Sequence, residues 1–169
     1  MYKFIWSFFC FFGLCSPFTF AADVQMTSVT LMQPDSVYSE RGISVKDLSN
    51  TILQAVEKTK NAWEKETLPP GAGFIVLALR NDGQINAWLD MRPEITEAVE
   101  NDTIQQIRQI QGPQFTDGMA ILAIQISVNG GKIESEEITL PMPKAWDKAR
   151  YAFSEPVDIE TLVRHVWPE

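Results

Sequence analysis

The chain has 169 residues, 14 Lys and Arg against 22 Asp and Glu, and a formal net charge of −8. That balance argues against nucleic acid and anionic lipid as partners, since both select basic surfaces. One histidine and two cysteines leave little material for metal or thiol chemistry.

The first segment differs from the rest. Lys3 precedes the 12-residue apolar run Phe4–Cys15, "FIWSFFCFFGLC", and Ser16-Pro17 and Ala21-Ala22 follow. A positive start, an apolar middle and small residues before a cut are the pattern of a secretory signal peptide over residues 1–21. A spanning helix needs ~20 apolar residues, so cleavage after Ala21 is expected, with an uncleaved anchor as the alternative. Leu14 before Cys15 is too bulky for a lipoprotein signal. Cleavage takes 21 of 169 residues, leaving one domain of 148 over residues 22–169, and removes Cys10, Cys15 and Lys3, so the mature charge is −9. A chain of this size folds on its core without staples. The expected location is the periplasm or the secreted space, with no stable membrane insertion.

Residues 23–41 are mixed and polar, with Val29, Leu31 and Val37 as candidates for a short strand and Pro34-Asp35-Ser36 as a turn. Ser44 with Asp47 reads as a helix N-cap close to a capping box. Val45, Leu48, Ile52, Ala55, Val56 and Trp63 then recur at helical spacing until Leu68-Pro69-Pro70-Gly71 ends the element. Gly73–Arg80 is a strand whose unbroken apolar run, Phe74–Leu79, predicts cover on both faces. Asn81-Asp82-Gly83 supplies a hairpin turn. Gln84–Asp90 alternates, with Ile85, Ala87 and Leu89 on one face and Asn86, Trp88 and Asp90 on the other, which predicts one solvated face.

Pro93 is placed to open a second helix through Ile95, Ala98, Val99, Ile104, Ile107 and Ile110. Asp102-Thr103 interrupts its stripe, and Gln111-Gly112-Pro113 stops it. Gly118–Val128 is the second strong strand, Asn129-Gly130-Gly131 is another hairpin turn, and Lys132–Ile138 reads as a polar edge strand. The tail, residues 143–167, holds a helix over Lys144–Phe153 and another capped by Asp158. The predicted fold is α+β: a small, mostly antiparallel sheet of three or four strands packed against two helices, with a core over residues 44–138 and a helical C-terminal tail.

No catalytic constellation is visible. His165, alone near a helix end, suits the dipole there better than a metal. No G-x-S-x-G elbow and no G-x-G-x-x-G loop occur. Acids pair as Asp82 with Asp90, Glu94 with Glu97, and Glu134 with Glu136-Glu137, which keeps a carboxylate-based hydrolase as a minor alternative. With 22 acids such pairs arise readily by chance. "NDGQIN" lacks the further acids of an EF-hand loop. Asn101-Asp102-Thr103 is a glycosylation acceptor that falls inside a predicted helix. No cofactor, metal site or enzymatic activity is expected. The candidate partner-binding set is Arg80, Trp88, Asp90 and Arg92, an aromatic flanked by charges. Two outcomes are open for Trp88: it stands exposed as an anchor, or the tail, with Trp146, Tyr151 and Trp167, folds over it.

The order helix, "GFIVLALRNDGQINAWLD", helix, "GMAILAIQISV" resembles the C-terminal domain of the TonB and TolA energy transducers across about residues 48–128. Asp82-Gly83 matches that family's turn, and Pro113 to Gly118 its break before the last strand. A Tyr-Pro opening, a "WRF"-like helix end and a proline-rich spacer are absent. The resemblance implies a periplasmic α+β domain that binds other proteins, often through an exposed sheet edge. The expected function is exported, non-enzymatic binding of another protein, with a basic partner as one reading of the acidic charge. It takes the form of an immunity-type inhibitor of a periplasmic toxin or, alternatively, an accessory of a TonB/TolA-like envelope complex. A small-ligand binder using the Trp88 face is the remaining alternative.

Overall fold

The computed structural model describes residues 22–133 and 140–167. The expected signal segment and most of the expected edge strand at 132–138 lie outside them. Among the described residues, no helix is long and apolar enough to cross a membrane.

The fold is built around one hairpin. Strands β2 (Gly71–Arg80) and β3 (Ile85–Arg92) pair antiparallel, with Val76 opposite Trp88. Gly83 closes the turn at a φ of 85°, a conformation that favours glycine. Its N–H donates to the Arg80 carbonyl at 2.9 Å, and the Arg80 N–H donates to the Gln84 carbonyl at 2.8 Å. Asp82 Oδ1 accepts from the Gln84 N–H at 3.0 Å, so the aspartate serves the turn. Strand β4 (Met119–Val128) lies on the other side of β2, and β1 (Val24–Leu31) lies beyond β4. The order β1-β4-β2-β3, all antiparallel, makes β2 and β4 the inner strands. Both are covered on both faces, which is why both read as near-continuous apolar runs. This is the α+β fold with an antiparallel sheet that the sequence predicts, with β1 as its fourth strand upstream of residue 44.

One face of the sheet is closed by α1 (Asp35–Glu40), α2 (Val45–Trp63) and α3 (Glu97–Ile107). Ser44 caps α2, its hydroxyl oxygen accepting from the Asp47 N–H at 3.1 Å. Leu48, Ile52, Ala55, Val56 and Trp63 pack with Ile75, Leu77, Leu79, Leu122, Ile124 and Ile126. Val45, expected on this face, is 81% exposed, so the covered stripe begins at Leu48. Thr96 caps α3, not Pro93, which follows a cis peptide bond ahead of the helix. Thr103 is no interruption. It is fully buried, donates to the Val99 carbonyl at 2.7 Å and accepts from the Trp63 indole N–H at 2.8 Å. A buried indole N–H needs such an acceptor, and Thr103 thereby ties α3 to α2.

The other face is closed by the tail helices α4 (Lys144–Arg150) and α5 (Ile159–Val166). Trp146, Leu162 and Val163 cover Val76, Ala78, Trp88, Met119 and Ile121. Asp158 caps α5, accepting from the Thr161 N–H at 3.0 Å. Glu160 holds α5 to the body through Arg41 at 2.8 Å and is paired along its own helix with Arg164 at 2.6 Å. Burial works against the Glu160 charge. The hydrogen bonds from the two guanidiniums overcome it and hold the carboxyl below its ordinary 4.5. The tail leaves β3 covered on both faces, in place of the one solvated face expected.

Candidate functional site

The four residues expected to bind a partner do not form one surface. Arg80 sits at the hairpin end, where its guanidinium bonds Asp82 at 2.9 Å and lies 5.4 Å from the Trp167 ring. Arg92 stands at the far end of β3, opposite Ala72. The eight-residue step along β2 from Ala72 to Arg80 is ~26 Å at ordinary strand rise. Asp90, near that far end, accepts from the Met142 N–H at 3.0 Å. Trp88, between them, is only 8% exposed and meets Trp146 edge-on at 5.3 Å. The exposed-anchor outcome for Trp88 is thus corrected to the other one: the tail supplies an aromatic partner and seals it. Arg80 lines a cleft of about 720 Å³ with Arg164, His165 and Trp167. Asp90 and Arg92 line a separate one of about 350 Å³ with Glu94, Glu100 and Lys144.

Of the acid pairs, Glu94 and Glu97 both lie near enough to act on the charge of Glu100, and Glu134, Glu136 and Glu137 lie outside the described residues. Asp82 is in the turn and Asp90 toward the other end of the hairpin. Lys144 bonds Glu94 at 2.6 Å. Burial raises the Glu100 carboxyl above its ordinary range, against the opposing charge of Lys144. Among the described residues, no group of three or more His, Cys, Asp and Glu converges as a metal site would. His165 meets Phe153 edge-on at 5.1 Å. Tyr38 is buried, its hydroxyl donating to the Ile121 carbonyl, and burial pushes its pKa up to about 12, so it stays neutral. Thr103 of the glycosylation tripeptide lies in the core.

The feature that stands open is β1. Its sequence, VQMTSVTL, places apolar residues at Val24, Met26, Val29 and Leu31, an alternation that slips by one between Met26 and Val29. The structure absorbs the slip in a β-bulge at Thr27. Met26 pairs with Ile126, yet Ser28 pairs with Gln125. Two hydrogen bonds fix the bulge: Thr27 Oγ1 donates to the Gln125 carbonyl at 3.2 Å and Ser28 Oγ to Gln125 Oε1 at 2.8 Å. As a result Val24, Met26, Val29 and Leu31 stand opposite Val128, Ile126, Ile124 and Leu122, all members of the core under α2. Gln25, Ser28 and Thr30 take the opposite face.

The backbone follows the same division. The Asn129 N–H donates to the Asp23 carbonyl at 2.8 Å, and the Met32 N–H to the Ile121 carbonyl at 3.0 Å. Alternation inward from those bonded ends, with the bulge counted, turns the amides of Gln25, Ser28 and Thr30 toward β4. Those of Val24, Met26, Val29 and Leu31 point outward. No strand lies beyond them among the described residues. Only Val24 is buried; Met26 is 42%, Val29 39% and Leu31 36% exposed. No charged residue or proline occurs in Val24–Leu31, so of the usual protections of an edge β1 carries only the bulge at Thr27. Sequence reasoning found only the end of this strand, because the one-residue slip hides its alternation. Strand β4, with β2 on one side and β1 on the other, has no free edge to offer.

The chain matches no known family model, no curated protein and no solved structure.

Proposed function

We propose that this chain is an exported, non-enzymatic protein-binding domain that takes an extended segment of a partner protein along β1. One observation carries the reading: a row of outward main-chain amides beside a half-exposed apolar stripe at Met26, Val29 and Leu31. Strand addition uses both, the main chain for affinity and alternate side chains for selection. The net charge of −8 favours approach by a basic partner. Of the two forms this binding can take, the open edge supports an envelope-complex accessory more directly. An immunity-type inhibitor calls for an exposed acidic and aromatic patch, and Trp88 lies under the tail.

The test is capture from the host envelope fraction by mature Ala22–Glu169 and by its Val29→Pro variant. The Val29 amide points outward, so proline removes a donor from the free edge and leaves the β4 ladder intact. A partner retained by the wild type and lost with Val29→Pro, in a variant with unchanged circular dichroism, is the expected result. Equal retention by both would overturn the reading.

A further inference from the structure

We propose that β1 also pairs with β1 of a second copy, antiparallel across a two-fold axis between Thr27 and Ser28. Two four-stranded sheets would join into one. The inference takes the open edge of the preceding reading and names the occupant that the chain itself supplies.

A two-fold interface must be self-complementary, because each residue i that meets j requires j to meet i. Few strands satisfy this, and β1 does. From Val24 to Leu31 its polarity runs apolar, polar, apolar, polar, polar, apolar, polar, apolar, which reads the same in either direction. The symmetric register sets Val24 against Leu31 of the second copy and Met26 against Val29 of the second copy. The same four residues carry the outward amides, so hydrogen bonding and side-chain matching select one register. The bulge at Thr27 lies at the centre of the pattern and creates its symmetry. Without the extra residue Val29 and Leu31 would fall on the other face from Val24 and Met26.

Charge and closure agree with this. The chain carries −8 overall, yet Val24–Leu31 carries no charge, so two copies meet where they do not repel. A two-fold axis normal to the sheet keeps α2 of both copies on one face. The half-exposed Met26, Val29 and Leu31 of each then merge into a single apolar stripe beneath the two helices. Growth stops at two copies, because the two-fold pairing uses both β1 edges and the strand left at each outer end, β3, has seven of its eight residues buried or half-buried. One strand pair is a small contact. Interfaces under ~1,200 Å² are weak, so the pair should dissociate on dilution and yield to a foreign strand that binds β1 better.

Sedimentation of purified mature Ala22–Glu169 over a concentration series tests the proposal. The expected result is a reversible rise from one to two monomer masses. Met26→Lys/Val29→Lys places like charges opposite each other in both symmetric pairs and should hold the protein monomeric. Met26→Lys/Val29→Glu places opposite charges in the same two pairs and should restore the dimer. Circular dichroism of both variants checks that the fold is intact. A wild type that stays monomeric overturns self-pairing while leaving capture of a foreign strand to its own test. A dimer indifferent to Met26→Lys/Val29→Lys, or no recovery with the charge-paired variant, overturns the register.

Discussion

Strands β3 and β1 are the two edges of one sheet, and they are finished differently. β3 has α3 against one face and the tail against the other, and seven of its eight residues are buried or half-buried. β1 takes cover from the flank of α2, and seven of its eight residues are exposed. Both are eight residues long. What separates them is what lies over them: β3 has α3 on one face and the tail on the other, whereas β1 is met on one face by the flank of α2. An edge is therefore closed by the elements packed on its faces as much as by a neighbouring strand, and an edge left without them is where binding is to be sought.

The comparison can be broken most severely at Trp88. Trp88→Ala removes the ring that Trp146 seals and reopens the tail face of β3. A loss of about 3–5 kcal/mol in urea unfolding is expected, as for a large core aromatic. A loss under about 1 kcal/mol would mean that the tail does not close this edge.

A smaller effect is expected at Glu160, which helps hold the tail against the body. Its folded carboxyl titrates below the ordinary 4.5, so its pairs contribute stability that is fully present above 4.5. That contribution is lost as pH falls through the depressed folded value. Glu160→Gln should melt below the wild type near about pH 7, by the equivalent of ~1 kcal/mol. The gap should shrink as pH falls below 4.5 and the wild-type carboxyl takes up its proton. A gap that persists in acid would separate the substitution from the charge.

The smallest effect sharpens the contrast from the open side. Val29→Thr should change unfolding stability by no more than about 0.5 kcal/mol, since the side chain is already 39% exposed. A larger cost would show that β1 is better covered than its surface area implies.

Much of this architecture is legible in the residues. The caps at Ser44 and Asp158 and the turn at Asn81-Asp82-Gly83 are local, and each forms as its spacing predicts. The inner strands are legible because two buried faces leave an unbroken apolar run. The exceptions have physical causes. Thr103 reads as a gap in a helical stripe because its acceptor role depends on Trp63, which is 40 residues away. Trp88 reads equally well as anchor or core, because the deciding contact is with Trp146 in the tail. The four candidate site residues share a hairpin in sequence, but strand geometry carries Arg80 and Arg92 to opposite ends of it. β1 is hidden by a single extra residue that shifts its phase.

The place of β1 in the sheet also carries a consequence in time. Its hydroxyl bond from Ser28 reaches Gln125, 97 residues downstream, and among the described residues its one strand neighbour is β4. β1 therefore cannot take its place in the sheet before β4 is available. It waits while the β2–β3 hairpin and α3 are made and until β4 arrives, and contacts of such long sequence separation slow folding. Throughout that interval the uncharged stretch VQMTSVTL has no strand to join within its own chain. The segment that ends as the sheet's open edge thus stays unpaired until β4 is in place.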